Sequence, residues 1–290
     1  MRTFLHRHPC AGALLGLLVL TAAARGAEPV APPARIGFRA LQPGVEYARV
    51  DLAGQPGAGQ GELHLVRLDP AVAPLRLLLA GELQLEPRSA ADWAREHQLS
   101  VVANLGMFAT DGRTHVGHVR RGQRLHSATW VKSYHQALVL GPRRAGLAPA
   151  RLLDLDRAPE RALLEDYAEV VQNLRLIRGA GENAWPQGAR RWSEVALAED
   201  DQGRLLLVFL RAPRSMHAFN RLLLDLPLGV RRAQHLEGGP EASLSVHAGG
   251  LDLDLCGSFE TGFLEDESNR GQWPIPNVLG VARPAGEEQR

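Results

Sequence analysis

The chain has 290 residues, a formal net charge of +1 and 45% hydrophobic residues. That is enough for one large core or two modest ones, and it is not the composition of a disordered chain. A near-zero charge argues against a dedicated nucleic-acid protein, which carries a basic face.

Arg2, His6 and Arg7 make a basic start, followed by an apolar run from Ala11 to Leu20 and then the small residues Ala22, Ala23 and Ala24. The run is too short to span a bilayer comfortably. The pattern reads as a secretory signal peptide over 1–26, so an exported protein is expected, periplasmic or secreted. No later run is long and apolar enough for a membrane helix. With Cys10 inside the signal, Cys256 stands alone and cannot form an internal disulfide. Its neighbours Leu255 and Gly257 give the thiol no activating partner.

The proline-rich stretch after the signal reads as a linker over 27–43. From Gly44 the pattern turns strand-like: VEYARVDL and GELHLVRL alternate across a Gly/Gln-rich turn, and PLRLLLAGEL adds a third strand. Ser89 caps a predicted helix, with Asp92 as its capping-box partner. VVANLGMFA is a buried strand running into a glycine. VGHVRRGQRLHS is a hairpin around Arg121-Gly122, and QALVLGP another strand. APERALLEDYAEVV reads as a helix or irregular cover, and NLRLI as a short strand. SEVALAEDDQGRLLLVFL is the clearest hairpin, turning at Asp-Gln-Gly. Ser215 then caps a helix whose Met216, Phe219, Leu222 and Leu223 share one face. LEGGPEASL, the hairpin SLSVHAGGLDLDL, a last strand in PIPNVLGVARP and a charged tail over 285–290 complete the chain.

Many strands with few helices predict an α+β fold: one domain over 44–284, with a mixed, largely antiparallel sheet and helices packed on its faces. The strand, the Ser215 helix and the returning strand form a crossover that delivers Glu237 to a strand end, where sites tend to sit.

Three clusters carry candidate chemistry. In ANLGMFATDGRTHVGH, Asn104 ends a strand before Gly106 lets the backbone turn. Asp111, His115 and His118 are metal-ligand types, but their spacing fits no strong zinc signature. The arginine-rich middle segment offers Arg175, Arg178, Arg190 and Arg191 as phosphate-binding candidates. Trp185 and Trp192 are either rim aromatics of a sugar cleft or core plugs. In LEGGPEASL, Gly238 and Gly239 free the backbone while Glu237 and Glu241 present two carboxylates, the pair that glycosyl transfer uses. No nucleophile elbow, Walker loop, dinucleotide fingerprint or H-E-x-x-H is present, so no cofactor is expected.

The order NLGMF, DG, NLRLI, the W-S-x-x-A-L-A hairpin, LEGGPEASL, GSFETGF and PIPNVLGV resembles the phosphodiester glycosidase family over roughly Val101 to Val281. The resemblance implies hydrolysis of a sugar-1-phosphodiester between the anomeric carbon and a phosphate oxygen. The partner would be a carbohydrate or sugar-phosphate substrate, in envelope or exopolysaccharide processing. Asn104 and Gly106 match one family motif; Gly238, Gly239 and Ser243 match the other. Glu237 stands where aspartate is common, and Glu194 near where many members carry an arginine. On this reading Glu237 is the carboxylate at the reacting centre. Asp111 or Glu241 is the second acid, and His118 a proton carrier. Asn104 binds sugar or positions water, and Arg175 or Arg191 holds the phosphate. Two competing readings are a non-catalytic glycan- or envelope-binding protein on the same fold, and a metal-dependent phosphodiesterase using Asp111, His115 and His118.

Overall fold

A computed structural model describes residues 35–53, 61–179 and 181–284. The predicted signal peptide, residues 27–34 of the predicted linker and the charged tail lie outside the described residues. The elements run β1 (Arg39–Gln42), β2 (Val45–Asp51), β3 (Glu62–Leu68), β4 (Leu75–Leu79), α1 (Ala80–Leu83), α2 (Ala90–Glu96), β5 (Leu99–Asn104), β6 (Val119–Arg121), β7 (Arg124–Ser127), β8 (Gln136–Pro142) and β9 (Ala150–Asp154). There follow α3 (Ala158–Ala162), a 3-10 turn Leu163–Asp166, β10 (Tyr167–Asn173), β11 (Arg175–Arg178), β12 (Glu182–Asn183), β13 (Trp192–Asp200) and β14 (Leu205–Arg214). The chain ends with α4 (Met216–Asp225), β15 (Val230–Gly238), a 3-10 turn Gly239–Glu241, β16 (Ser243–Ala248), β17 (Leu251–Cys256) and β18 (Asn277–Ala282).

Strand order is β1-β2-β3-β14-β13-β15-β11-β12 in an eight-stranded sheet, β7-β6-β10-β8-β9 in a second, and β17-β16-β5-β18-β4 in a third. The expected α+β fold of largely antiparallel strands with few helices forms; its strands divide among three sheets, and among the described residues every pairing is antiparallel, as where β13 pairs with both its neighbours β14 and β15. The crossover explains the antiparallel pairing there. The chain leaves β14, passes through α4 and returns as β15 on the other side of β13, so two parallel strands never share a ladder. The first strand, Arg39–Gln42, pairs with β2 inside the stretch read as linker, so the sheet starts earlier than Gly44. Part of the APERALLEDYAEVV segment is also strand: β10 begins at Tyr167.

β14 shows how the sheets meet. Its run is apolar at every position from Leu205 to Leu210, the signature of burial on both faces. Leu205, Leu207 and Phe209 pack into a core that also takes Val101 and Leu244 from the third sheet and Leu138 and Val171 from the second. Leu206, Val208 and Leu210 face the other way, against Met216, Phe219 and Leu223 of α4. The Ser215 hydroxyl accepts from the Ala218 amide at 3.3 Å, starting α4 where the cap predicts. Ser89 caps α2 likewise, and Trp93 of α2 packs on the outer face of the third sheet.

Candidate active site

β15 ends in the Gly238-Gly239 turn, and both glycines answer close approach. A Cβ on Gly238 would sit 2.5 Å from Trp192 Cδ1; one on Gly239, whose φ is +63°, would sit 2.6 Å from Glu260 Oε2. Asn104 pins the far side of the turn. Its Nδ2 donates to the Glu241 carbonyl at 3.1 Å and its Oδ1 accepts from the Ser243 amide at 2.8 Å. The NLGMF and LEGGPEASL segments therefore meet, as their order suggests. The role given to Asn104 is corrected: both its polar atoms are engaged by backbone and it is 1% exposed, so it clamps the turn rather than touching sugar. Ser243 is also fully buried, its hydroxyl donating to the Glu241 carbonyl. Gly106 is a packing glycine; a Cβ there would fall 2.2 Å from Asn173 Oδ1 and 2.3 Å from His115 Nε2.

A bulge aims the acid. In an unbroken strand His235 and Glu237 would share a face. Here β13 pairs Val195 with Glu237 but Ala196 with His235, leaving Leu236 unpaired between them. Val195 and Leu236 pack in the core between the sheets, whereas Ala196 packs towards α4. The register thus places Glu237 on the inter-sheet side and His235 on the helix side. Tyr134, in the segment before β8, senses the acid: burial raises its phenol, and the Glu237 charge raises it further.

Behind the turn lies a buried network. Glu194 Oε1 meets His235 Nδ1 at 2.7 Å, and Glu194 Oε2 accepts from Trp192 Nε1 at 2.7 Å. Trp192 stands edge-to-face with both Trp185 and His235. Burial opposes charge on both members of the pair, raising the Glu194 carboxyl and pulling the imidazole down. Attraction to Glu194, with Glu237 and Glu260 adding, outweighs burial for His235, which ends above its ordinary value. Burial pushes Glu237 up to about 8, repulsion from Glu241 and Glu194 reinforcing it, against the opposing pull of His235 and the Gly238 amide. Glu241 is also raised, by burial first and then by Glu260.

Several predicted residues lie elsewhere. Arg175 is 8% exposed and its Nη1 is held by Asp154 at 3.0 Å and Asp156 at 2.9 Å. Its charge is compensated inside the protein, so it is a structural ion pair and not a phosphate grip. Arg191 is exposed, and its backbone bonds Thr261. Its neighbour Arg190 is the arginine at the turn, with Nη2 3.7 Å from Glu260 Oε1 and its guanidinium 6.0 Å from the Trp192 ring centre. Asp111 is exposed and spends its oxygens on the amides of Arg113 and Thr114 and the Thr114 hydroxyl. Those local bonds hold its carboxyl below the ordinary range, and none of its contacts reaches Glu237. His118 packs edge-on against Trp130; burial lowers it, and Arg120 and Glu165 are the charges it senses. His115 is buried, its Nδ1 beside Gly117, and burial lowers it to about 4. Among the described residues no group of three or more His, Cys, Asp or Glu side chains gathers as a metal site, so Asp111, His115 and His118 are not brought together.

Sequence reading thus found Glu237, Glu241 and the two glycines, offered Arg190 as one of four candidate arginines, and missed His235 and Glu260 as site members. A histidine two residues before the acid was the available signal for the first. Glu260 had only its place in GSFETGF, and it reaches the turn from the irregular segment between β17 and β18.

The pieces that meet here are the two motifs of the expected family, and comparison decides the matter: the phosphodiester glycosidase family model matches residues 97–282. The chain belongs to the phosphodiester glycosidase family. Its fold is similar to the catalytic domain of zebrafish N-acetylglucosamine-1-phosphodiester alpha-N-acetylglucosaminidase, which is auto-inhibited by its pro-peptide. That likeness has a TM-score of 0.57 at 15% identity and covers 86% of this chain and 88% of that one. A hypothetical protein from Synechocystis is similar at TM-score 0.54 and 15% identity, covering 84% of this chain and 64% of that chain. No curated protein matches the chain. In this family member no helix among the described residues is long and apolar enough to cross a membrane.

Proposed function

We propose that this family member is an exported hydrolase that cleaves the glycosidic bond of a sugar-1-phosphodiester, with Glu237 as proton donor. The family supports glycosidase-type chemistry, and the basic, apolar and small-residue pattern over 1–26 supports export. The observation that carries the reading is the Glu237 carboxyl, aimed between the sheets beside a Gly-Gly turn and held protonated up to about pH 8. An ionised carboxylate there would repel an anionic phosphodiester. A neutral carboxylic acid accepts it and can donate a hydrogen bond to it.

The reaction runs with few groups. Glu237 gives its proton to the bridging phosphate oxygen as the anomeric C–O bond breaks, and the bonding electron pair stays on that oxygen. Water then bonds the anomeric carbon, and its proton returns to Glu237. The products are a free sugar and a phosphate monoester. Glu241, half-buried at the same turn, is the carboxylate that faces positive charge developing on the sugar. Arg190 replaces Arg175 and Arg191 as the cation for the phosphate. An envelope or exopolysaccharide phosphodiester fits this chemistry and an exported location.

The test is sugar release from a panel of sugar-1-phosphodiesters by the purified chain and by Glu237→Gln. Release by wild type, reduced about 10²–10⁴-fold in the variant, supports the reading. Glycan binding with no release from any substrate in the panel would leave a binding protein on the same fold.

A further inference from the structure

The Glu194–His235 pair is completely enclosed, with side chains 1% and 6% exposed. Such pairs are poor stabilisers, because desolvating both charges offsets much of their attraction. This pair is also tightly fixed. Glu194 is held at one oxygen by Trp192 and at the other by His235, while the His235 amide is anchored on the Leu174 carbonyl at 2.8 Å. The Leu236 bulge then sets Glu237 just past it, on the opposite face of the same strand.

We propose that His235, oriented and kept charged by Glu194, is a positioning residue that governs the proton on Glu237. The inference rests on the proposed role of Glu237 as proton donor. When Glu237 releases its proton, a new negative charge appears among carboxylates. Glu194 on β13 and Glu241 in the following turn both repel it, and burial opposes it too. Two features oppose that repulsion: the Gly238 amide, which donates to Glu237 Oε1 at 3.1 Å, and the His235 imidazolium. Tyr134 faces the same charge from the segment before β8. His235 in turn senses Glu194, Glu237 and, from the segment after β17, Glu260. A fixed cation one residue beyond a bulge lets the acid lose and regain its proton near neutral pH without contacting substrate itself. Glu237 would otherwise be an acid too weak to ionise during turnover.

The experiment is a titration of the intact chain carrying carboxyl-labelled glutamate and ring-labelled histidine, followed by NMR without substrate. In His235→Gln the Glu237 midpoint rises by about one to two pH units, and the basic limb of kcat/KM moves with it. In Glu194→Gln the His235 midpoint falls. The reciprocal measurement leaves the pair intact and guards against a variant that fails to fold: in Glu237→Gln the His235 midpoint also falls, because coupling between two sites is mutual. An unmoved Glu237 midpoint in folded His235→Gln, or an unmoved His235 midpoint in Glu237→Gln, overturns the proposal. If the midpoints move as stated but no phosphodiester is cleaved, the electrostatic coupling stands and the substrate reading fails.

Discussion

Replacing Glu237 by glutamine tests the central claim without any substrate. A carboxyl shifted from 4.5 to about 8 prefers its protonated form by about 3–5 kcal/mol, the lower figure allowing for its partial exposure. The sign follows from proton counting. Between pH 4.5 and 8 the folded chain holds this proton and the unfolded chain does not, so stability falls as pH rises through that window. Below 4.5 both states are protonated and the penalty vanishes; above 8 it is complete. Glutamine mimics the neutral acid and carries no such penalty. Urea unfolding of wild type and Glu237→Gln at pH 5, 6.5 and 8.5 should therefore give nearly equal stability at pH 5. At pH 8.5 the variant should be more stable by a few kcal/mol. Parallel stability curves across the range would refute the claim that Glu237 is protonated at neutral pH.

Arg190→Ala should raise KM about tenfold with a smaller effect on kcat, since it removes a rim cation and leaves the fold alone. Arg175→Ala should instead destabilise by about 3–5 kcal/mol, leaving the buried Asp154 carboxylate without its cation, as thermal unfolding would show. Gly238→Ala should cost about 1–3 kcal/mol and perturb Trp192 fluorescence, because its Cβ would press on the indole ring. Asp111→Asn should leave kcat/KM unchanged, its carboxylate being committed to an exposed turn.

Most strands were readable from the chain, β1, β9, β10 and β12 being the exceptions, and the reason is local. Alternation in VEYARVDL, the Asp-Gln-Gly turn after SEVALAED and the Ser215 cap act over a few residues, and the folded protein keeps each of them. The meeting of NLGMF with LEGGPEASL was legible only through their resemblance to a family; the contact itself is one asparagine amide spanning 139 positions to Ser243.

What the sequence by itself determined was most of the strands, the capped helices and the acid placed before a Gly-Gly turn. Tertiary structure decided which side chains act there. Arg175 looked free until Asp154 and Asp156 arrived from another sheet to neutralise it. Glu194 looked like a departure until strand pairing set it against His235. Glu237 looked like a charged turn until an unpaired Leu236 turned it to the inter-sheet side, where partial burial keeps its proton. Charge state and facing depend on long-range partners and dielectric, and neither is a property of a residue and its neighbours in the chain.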